Sequence, residues 1–178
     1  TDYTDRDLQF GRIAGTLQTM FPQPVVNTAV ALAVLHAQTE ELDQDMGRAW
    51  LVHGANAASD AIRYTAAWRT VGQRHARAQQ LQRVLAMGND LARLTRTPGL
   101  RMMLRMMRGP ANAAGMGALQ RFLEAGFDTF GQLARQRGGV EQFLATIEQR
   151  ERALMDQLFD ADRVTCETQL ANTLGQAR

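Results

Sequence analysis

Apolar side chains recur at three- and four-residue intervals along most of the chain. No useful length alternates apolar with polar residues, so the pattern predicts helices and no sheet. Thr4 to Asp7 has the form of a helix start, and Phe10, Ile13, Leu17 and Met20 continue it as an amphipathic helix over about 5–20. Pro22 and Pro24 close that helix and open a second over 24–51. Its first half, Val25 to Ala37, is apolar nearly all round, which predicts a central, buried position. Its second half narrows to a stripe of Leu35, Thr39, Leu42, Met46 and Trp50, and His53-Gly54 is its exit. Ser59 or Asn56 can cap a third region, 59–95, which as one rod would span about 55 Å. A break is therefore expected near Gly72 or within Gln73–Gln80. Thr97 as cap and Pro98 as first residue open a short helix over 98–108, and Gly109-Pro110 ends it. The next helix, 110–136, turns Met116, Leu119, Phe122, Leu123, Phe127, Phe130 and Leu133 inward. Gly138-Gly139 separates it from a helix over 140–158, and Asp160 can cap a last one. The reading is an all-α, single-domain bundle of six or seven helices over 1–159, with the 24–51 and 110–136 helices at its centre. The segment 160–178, whose stripe is only Val164, Leu170 and Leu174, is expected to be a loosely packed, weakly amphipathic tail.

Composition narrows the chemistry. At 178 residues the chain can bury a core without disulfides, and no apolar run approaches the roughly 18–20 residues of a membrane span. Cys166 is the single cysteine, which excludes an intrachain disulfide and a cysteine-rich metal cluster and suits a reducing, cytoplasmic setting. All 20 basic residues are arginine, so there is no Schiff-base or P-loop lysine. The lone serine, Ser59, is not in a nucleophile elbow, and the histidines are only His36, His53 and His75. Nothing in this inventory calls for a cofactor, and the chain reads as non-enzymatic.

One segment departs from this evenness. Within 91–123 stand Arg93, Arg96, Arg101, Arg105, Arg108 and Arg121 with no acidic residue, against a net charge of +2 for the whole chain. Helical spacing puts Arg101, Arg105 and Arg108 on one face of the 98–108 helix, with Leu100, Met103, Leu104 and Met107 opposite. Met102 and Met106 fall at its edge and offer an adaptable apolar surface. The face fits an acidic or amphipathic protein partner, a second copy of the chain included. In the plainer alternative, the acidic cluster Glu40–Asp45 neutralises the arginines within the molecule. A rival function is an apolar small-molecule or lipid cavity between the Met-rich helix and Phe122 and Phe127. Nucleic acid is disfavoured, because no aromatic residues interleave with the arginines. His36 and Glu40, four apart, could share a metal ion, but they are half a site with no matching second pair, so a metal-dependent enzyme ranks last.

Several runs resemble a known family. They are Leu91-Ala-Arg-Leu-Thr-Arg96, Leu104-Arg-Met-Met-Arg-Gly-Pro-Ala111 and Gly117-Ala-Leu-Gln-Arg-Phe-Leu-Glu-Ala-Gly-Phe127. With Asp5-Arg-Asp-Leu-Gln-Phe10, Leu35-His36, Glu41-Leu-Asp43, Ala67-Trp-Arg-Thr-Val-Gly72 and Ile147-Glu-Gln-Arg-Glu151, they are similar to the FFLEELY-motif proteins, uncharacterised helical proteins of proteobacteria. In that family the FFLEELY segment lies just upstream of the stretch matching Asp5–Phe10, so the chain is expected to lack it at its amino end. The resemblance implies an all-helical fold and no particular activity.

Overall fold

A computed structural model describes residues 22–54, 59–113 and 117–176, apart from the side chains of 119, 122 and 173–176. The helix expected over 5–20 lies outside the described residues, as do the inward positions assigned to Met116, Leu119, Phe122 and Leu174. The described residues form α1 (Gln23–His53), α2 (Asp60–Val71), α3 (Arg74–Thr95), α4 (Leu100–Met106), α5 (Arg108–Ala113), α6 (Gly117–Arg135), α7 (Gly139–Asp160) and α8 (Arg163–Gln176), with no strand among them. The protein is all-α, as the spacing of its apolar residues predicts. Only Met107 separates α4 from α5, so the two make one bent segment and the described helical segments number seven.

The local chemistry explains most boundaries. Ser59 caps α2, its Oγ accepting from the Ile62 amide at 3.3 Å. The long 59–95 region breaks where expected: Gly72 and Gln73 both take positive φ, 64° and 57°, and the Gly72 amide closes α2 on the Trp68 carbonyl. Three boundaries correct the sequence reading. Thr97 does not cap α4; Gly99 does, in the left-handed region with φ 79°, and the Thr97 hydroxyl turns back to the Arg93 carbonyl. Gly109-Pro110 does not end a helix but sits in the first turn of α5, where a missing N–H has no intrahelical acceptor to forgo. Asp162, not Asp160, caps α8, accepting from the Thr165 amide at 2.9 Å.

The chain divides into two compact units. Of the described residues, one unit comprises those within 22–34 and 86–143, the other those within 35–85 and 144–176, so α1, α3 and α7 each contribute residues to both. In the second unit a buried cluster joins Ala61, Trp68, Leu81, Met155, Leu158, Cys166 and Leu170. The small Ala61 and Thr65 let α8 approach α2 closely, and the fully buried Cys166 thiol lies 3.7 Å from the Thr65 hydroxyl. The segment expected to pack loosely thus supplies two core residues. Its stripe runs through Cys166 and Leu170 rather than the exposed Val164, and each large buried side chain contributes about 1.5–3 kcal/mol. Arg69 donates Nε to the Leu158 carbonyl and Nη2 to the Ala161 carbonyl, satisfying acceptors that the end of α7 leaves open. Nearby, Arg74 grips Asp156 and Asp160.

In the first unit Leu94, Leu100, Ala111 and Val140 are buried, and Phe130 meets Phe143 edge to face at 6.2 Å. The α6–α7 turn depends on glycine twice. Gly138 has φ 69°, and a Cβ on Gly139 would stand 2.5 Å from the Leu133 carbonyl oxygen.

The centre differs from expectation. α1 buries Val26, Leu42 and Ala49 but leaves Val30, Leu32, Val34, Leu51 and Val52 exposed. A helix apolar on every side offers more greasy surface than the faces beside it can cover. In α6, Leu123 is exposed, while Gln120 takes a buried position on the inner stripe with the partly buried Phe127, Phe130 and Leu133.

Candidate functional site

The arginine-rich face is built on α4, a helix of seven residues. Two turns are too short to be stable alone, so neighbouring elements must hold them. Leu100 is the buried anchor, and Met103, Leu104 and Met107 are partly buried on the inner side. The outer side presents Arg101, Met102, Arg105 and Met106, all exposed; Met102 and Met106 reach 68% and 72%.

Two of the three arginines fasten α4 and α5 to α6. Arg101 donates Nε and Nη2 to the two oxygens of Asp128, each at 2.8 Å. Arg108 grips Glu124 in the same manner, with Nε at 2.7 and 3.0 Å from its oxygens and Nη2 on Oε2. These forks match guanidinium to carboxylate geometry. Between them the buried amide of Gln120 donates to the Leu104 carbonyl at 2.5 Å and to Glu124 Oε1 at 3.1 Å. One polar chain therefore runs from the end of α4 through Gln120 and Glu124 to α5.

The electrostatics follow. The Arg108 guanidinium, then the Gln120 amide, hold the Glu124 carboxyl down to a pKa of about 2. Arg101 likewise lowers the Asp128 carboxyl below the usual carboxylate range. Arg105 makes no hydrogen bond or ion pair with the described residues, although its field reaches both carboxylates. Of the face's three positive charges, two are matched and one is left over. Arg101, Leu104, Arg105, Glu124, Phe127 and Asp128 border a small open depression of about 10 Å³, room for about one water.

Arg101, Met102, Arg105 and Met106 stand on α4, whereas Arg108 opens α5 rather than ending the same helix, and the neutralising acids are not Glu40–Asp45. Glu124 and Asp128 fill that role, while Asp45 pairs with Arg48 and accepts from Gln73. Phe127, one of the two aromatic residues expected to line an apolar cavity, borders the depression; the Phe122 side chain lies outside the described residues. His36 and Glu40 approach to 3.9 Å, both well exposed, and no group of three His, Cys, Asp or Glu that could hold a metal occurs among the described residues. Among the same residues no helix is long and apolar enough to cross a membrane. The bracing role of Gln120 has no sequence signature beyond its four-residue step to Glu124.

Fold and face together define an all-helical protein that displays a short arginine–methionine helix fastened by its own salt bridges. The chain belongs to the family described as a domain of unknown function (DUF8198), whose model matches residues 1–165. No curated protein and no solved structure matches it.

Proposed function

We propose that this is a non-enzymatic interaction protein whose α4 face docks an amphipathic helix carrying acidic residues. The observation that carries the reading is the pair Met102 and Met106, one turn apart and mostly exposed, beside Arg105, which no described carboxylate engages. Flexible thioethers adapt to a varied apolar stripe, and a cation beside them selects a partner with a carboxylate at the edge of that stripe. Arg101 and Arg108 keep the platform rigid, which lowers the ordering cost of docking. The depression beside Arg105, about 10 Å³, is far below the roughly 300 Å³ at which small-molecule pockets begin, so a lipid ligand gains no support from it. Kinship with the FFLEELY-motif proteins, a bacterial source and a cytoplasmic setting belong to the same reading, supported by the sequence runs and by a buried, free Cys166.

The test is fluorescence anisotropy with a labelled helical peptide bearing leucines at i, i+4 and i+7 and glutamates beside them. The wild type is expected to bind it saturably. Arg105→Glu combined with Met102→Ser and Met106→Ser should fold normally and lose binding, because none of the three braces the fold. Equal binding by wild type and variant would remove this face from consideration.

A further inference from the structure

The second unit holds an arginine used in a different way. Arg77, on α3, is 8% exposed, and its guanidinium carbon stacks 3.5 Å from the Trp68 ring centroid. Its Nε and Nη2 are closed to solvent and have no hydrogen-bond partner among the described residues; neither does the buried Nε1 of Trp68 in the same stack. Buried donors are almost always satisfied, and an uncompensated buried cation is costlier still. Burial pulls the Arg77 pKa below its ordinary value, offset in part by Tyr64 and Asp43.

Nε and Nη2 form one edge of the guanidinium, and four other arginines have that edge occupied. Arg101 and Arg108 place it on the carboxylates of Asp128 and Glu124, Arg152 on Glu148, and Arg69 on two carbonyls. Arg77, the most enclosed of these arginines, has no partner on the same edge among the described residues.

We propose that Arg77 and Trp68 form a buried receptor for one small carboxylate-bearing molecule. The carboxylate takes the Nε/Nη2 edge in the two-oxygen manner of Asp128, and the Trp68 N–H is a third donor beside it. Charge selects the class. One cation in a dry site neutralises a monoanion, whereas a phosphate dianion leaves excess negative charge buried. Because the donors are sealed, entry requires a neighbouring side chain to yield. Tyr64, partly open to solvent with its ring 5.9 Å from that of Trp68, is placed to do so.

Trp50 and Trp68 are the chain's two tryptophans, so Trp68 fluorescence in a Trp50→Phe background reports on this site alone. Sodium acetate is titrated at constant ionic strength against chloride and against phosphate. Saturable change with acetate, little with chloride or phosphate, and none in Arg77→Lys or Arg77→Met is the expected result. Arg77→Lys keeps the charge and loses the two-donor edge. Melting should agree: acetate raises the Tm of the parent alone, and without acetate Arg77→Met is no less stable than the parent. Three outcomes would overturn the proposal. They are no saturable acetate response, a response surviving in Arg77→Met (an adventitious additive only), and a stronger response to phosphate than to acetate.

Discussion

Glu124 shows how one residue sets the character of the face. The arginine run at 91–123 is free of acid, yet Glu124 is the very next residue and Asp128 lies one turn further on. Both turn back to the run, at separations of 16 and 27 residues from Arg108 and Arg101 that no local spacing rule reports. The arginines were legible and their acids were not, because pairing was decided by how α4 and α5 lie on α6. A pH dependence follows. A carboxyl whose folded pKa is lowered contributes stability that is full above its unfolded value and lost as pH falls through the folded one. Glu124, held at about 2, therefore loses its contribution between its ordinary value of about 4.3 and pH 2. Asp128, shifted in the same direction, adds to the decline. Thermal melts should fall over that window, and less steeply in Glu124→Gln; equal slopes would contradict the assignment. Gly139 makes a second residue-scale prediction. Gly139→Ala forces a Cβ against the Leu133 carbonyl and should destabilise by about 1–3 kcal/mol in denaturant unfolding, as overpacking does elsewhere.

At the scale of elements, helix existence was readable and helix ends less so. The α2–α3 break followed from length and Gly72, and the start of α7 from Gly138-Gly139. The α4–α5 junction did not, because proline stops a helix only where an amide is needed, and Pro110 falls in a first turn. The C-terminal helix was underrated because a cysteine is a modest hydrophobe by sequence, whereas Cys166 is the residue that fits beside Thr65. α4, two turns long, depends on its braces. Gln120→Leu leaves the Leu104 carbonyl without its donor and should cost about 1–3 kcal/mol. Arg101→Ala should speed hydrogen exchange at the α4 amides while those of α2 stay unchanged. Uniform exchange across both helices would mean that the Asp128 fork does not hold α4.

For the whole molecule, the all-helical class came directly from periodicity, and the division into two units did not. α1, α3 and α7 each run from one unit into the other, so no linker marks the boundary in the sequence. The exposed Val30, Leu32 and Val34 of α1 were misplaced for a related reason: hydrophobicity all round a helix says that it can be buried, not that enough surface exists to bury it. On α4 and α5, two arginines are fixed by their carboxylates while a third and two methionines face solvent. Limited peroxide oxidation followed by peptide mass spectrometry reads this directly, since thioether oxidation tracks exposure. Met102 and Met106 should oxidise much faster than Met155, which is 8% exposed and sits in the core of the other unit. Met102 and Met106 as slow to oxidise as Met155 would mean that the face is closed, and would contradict the account.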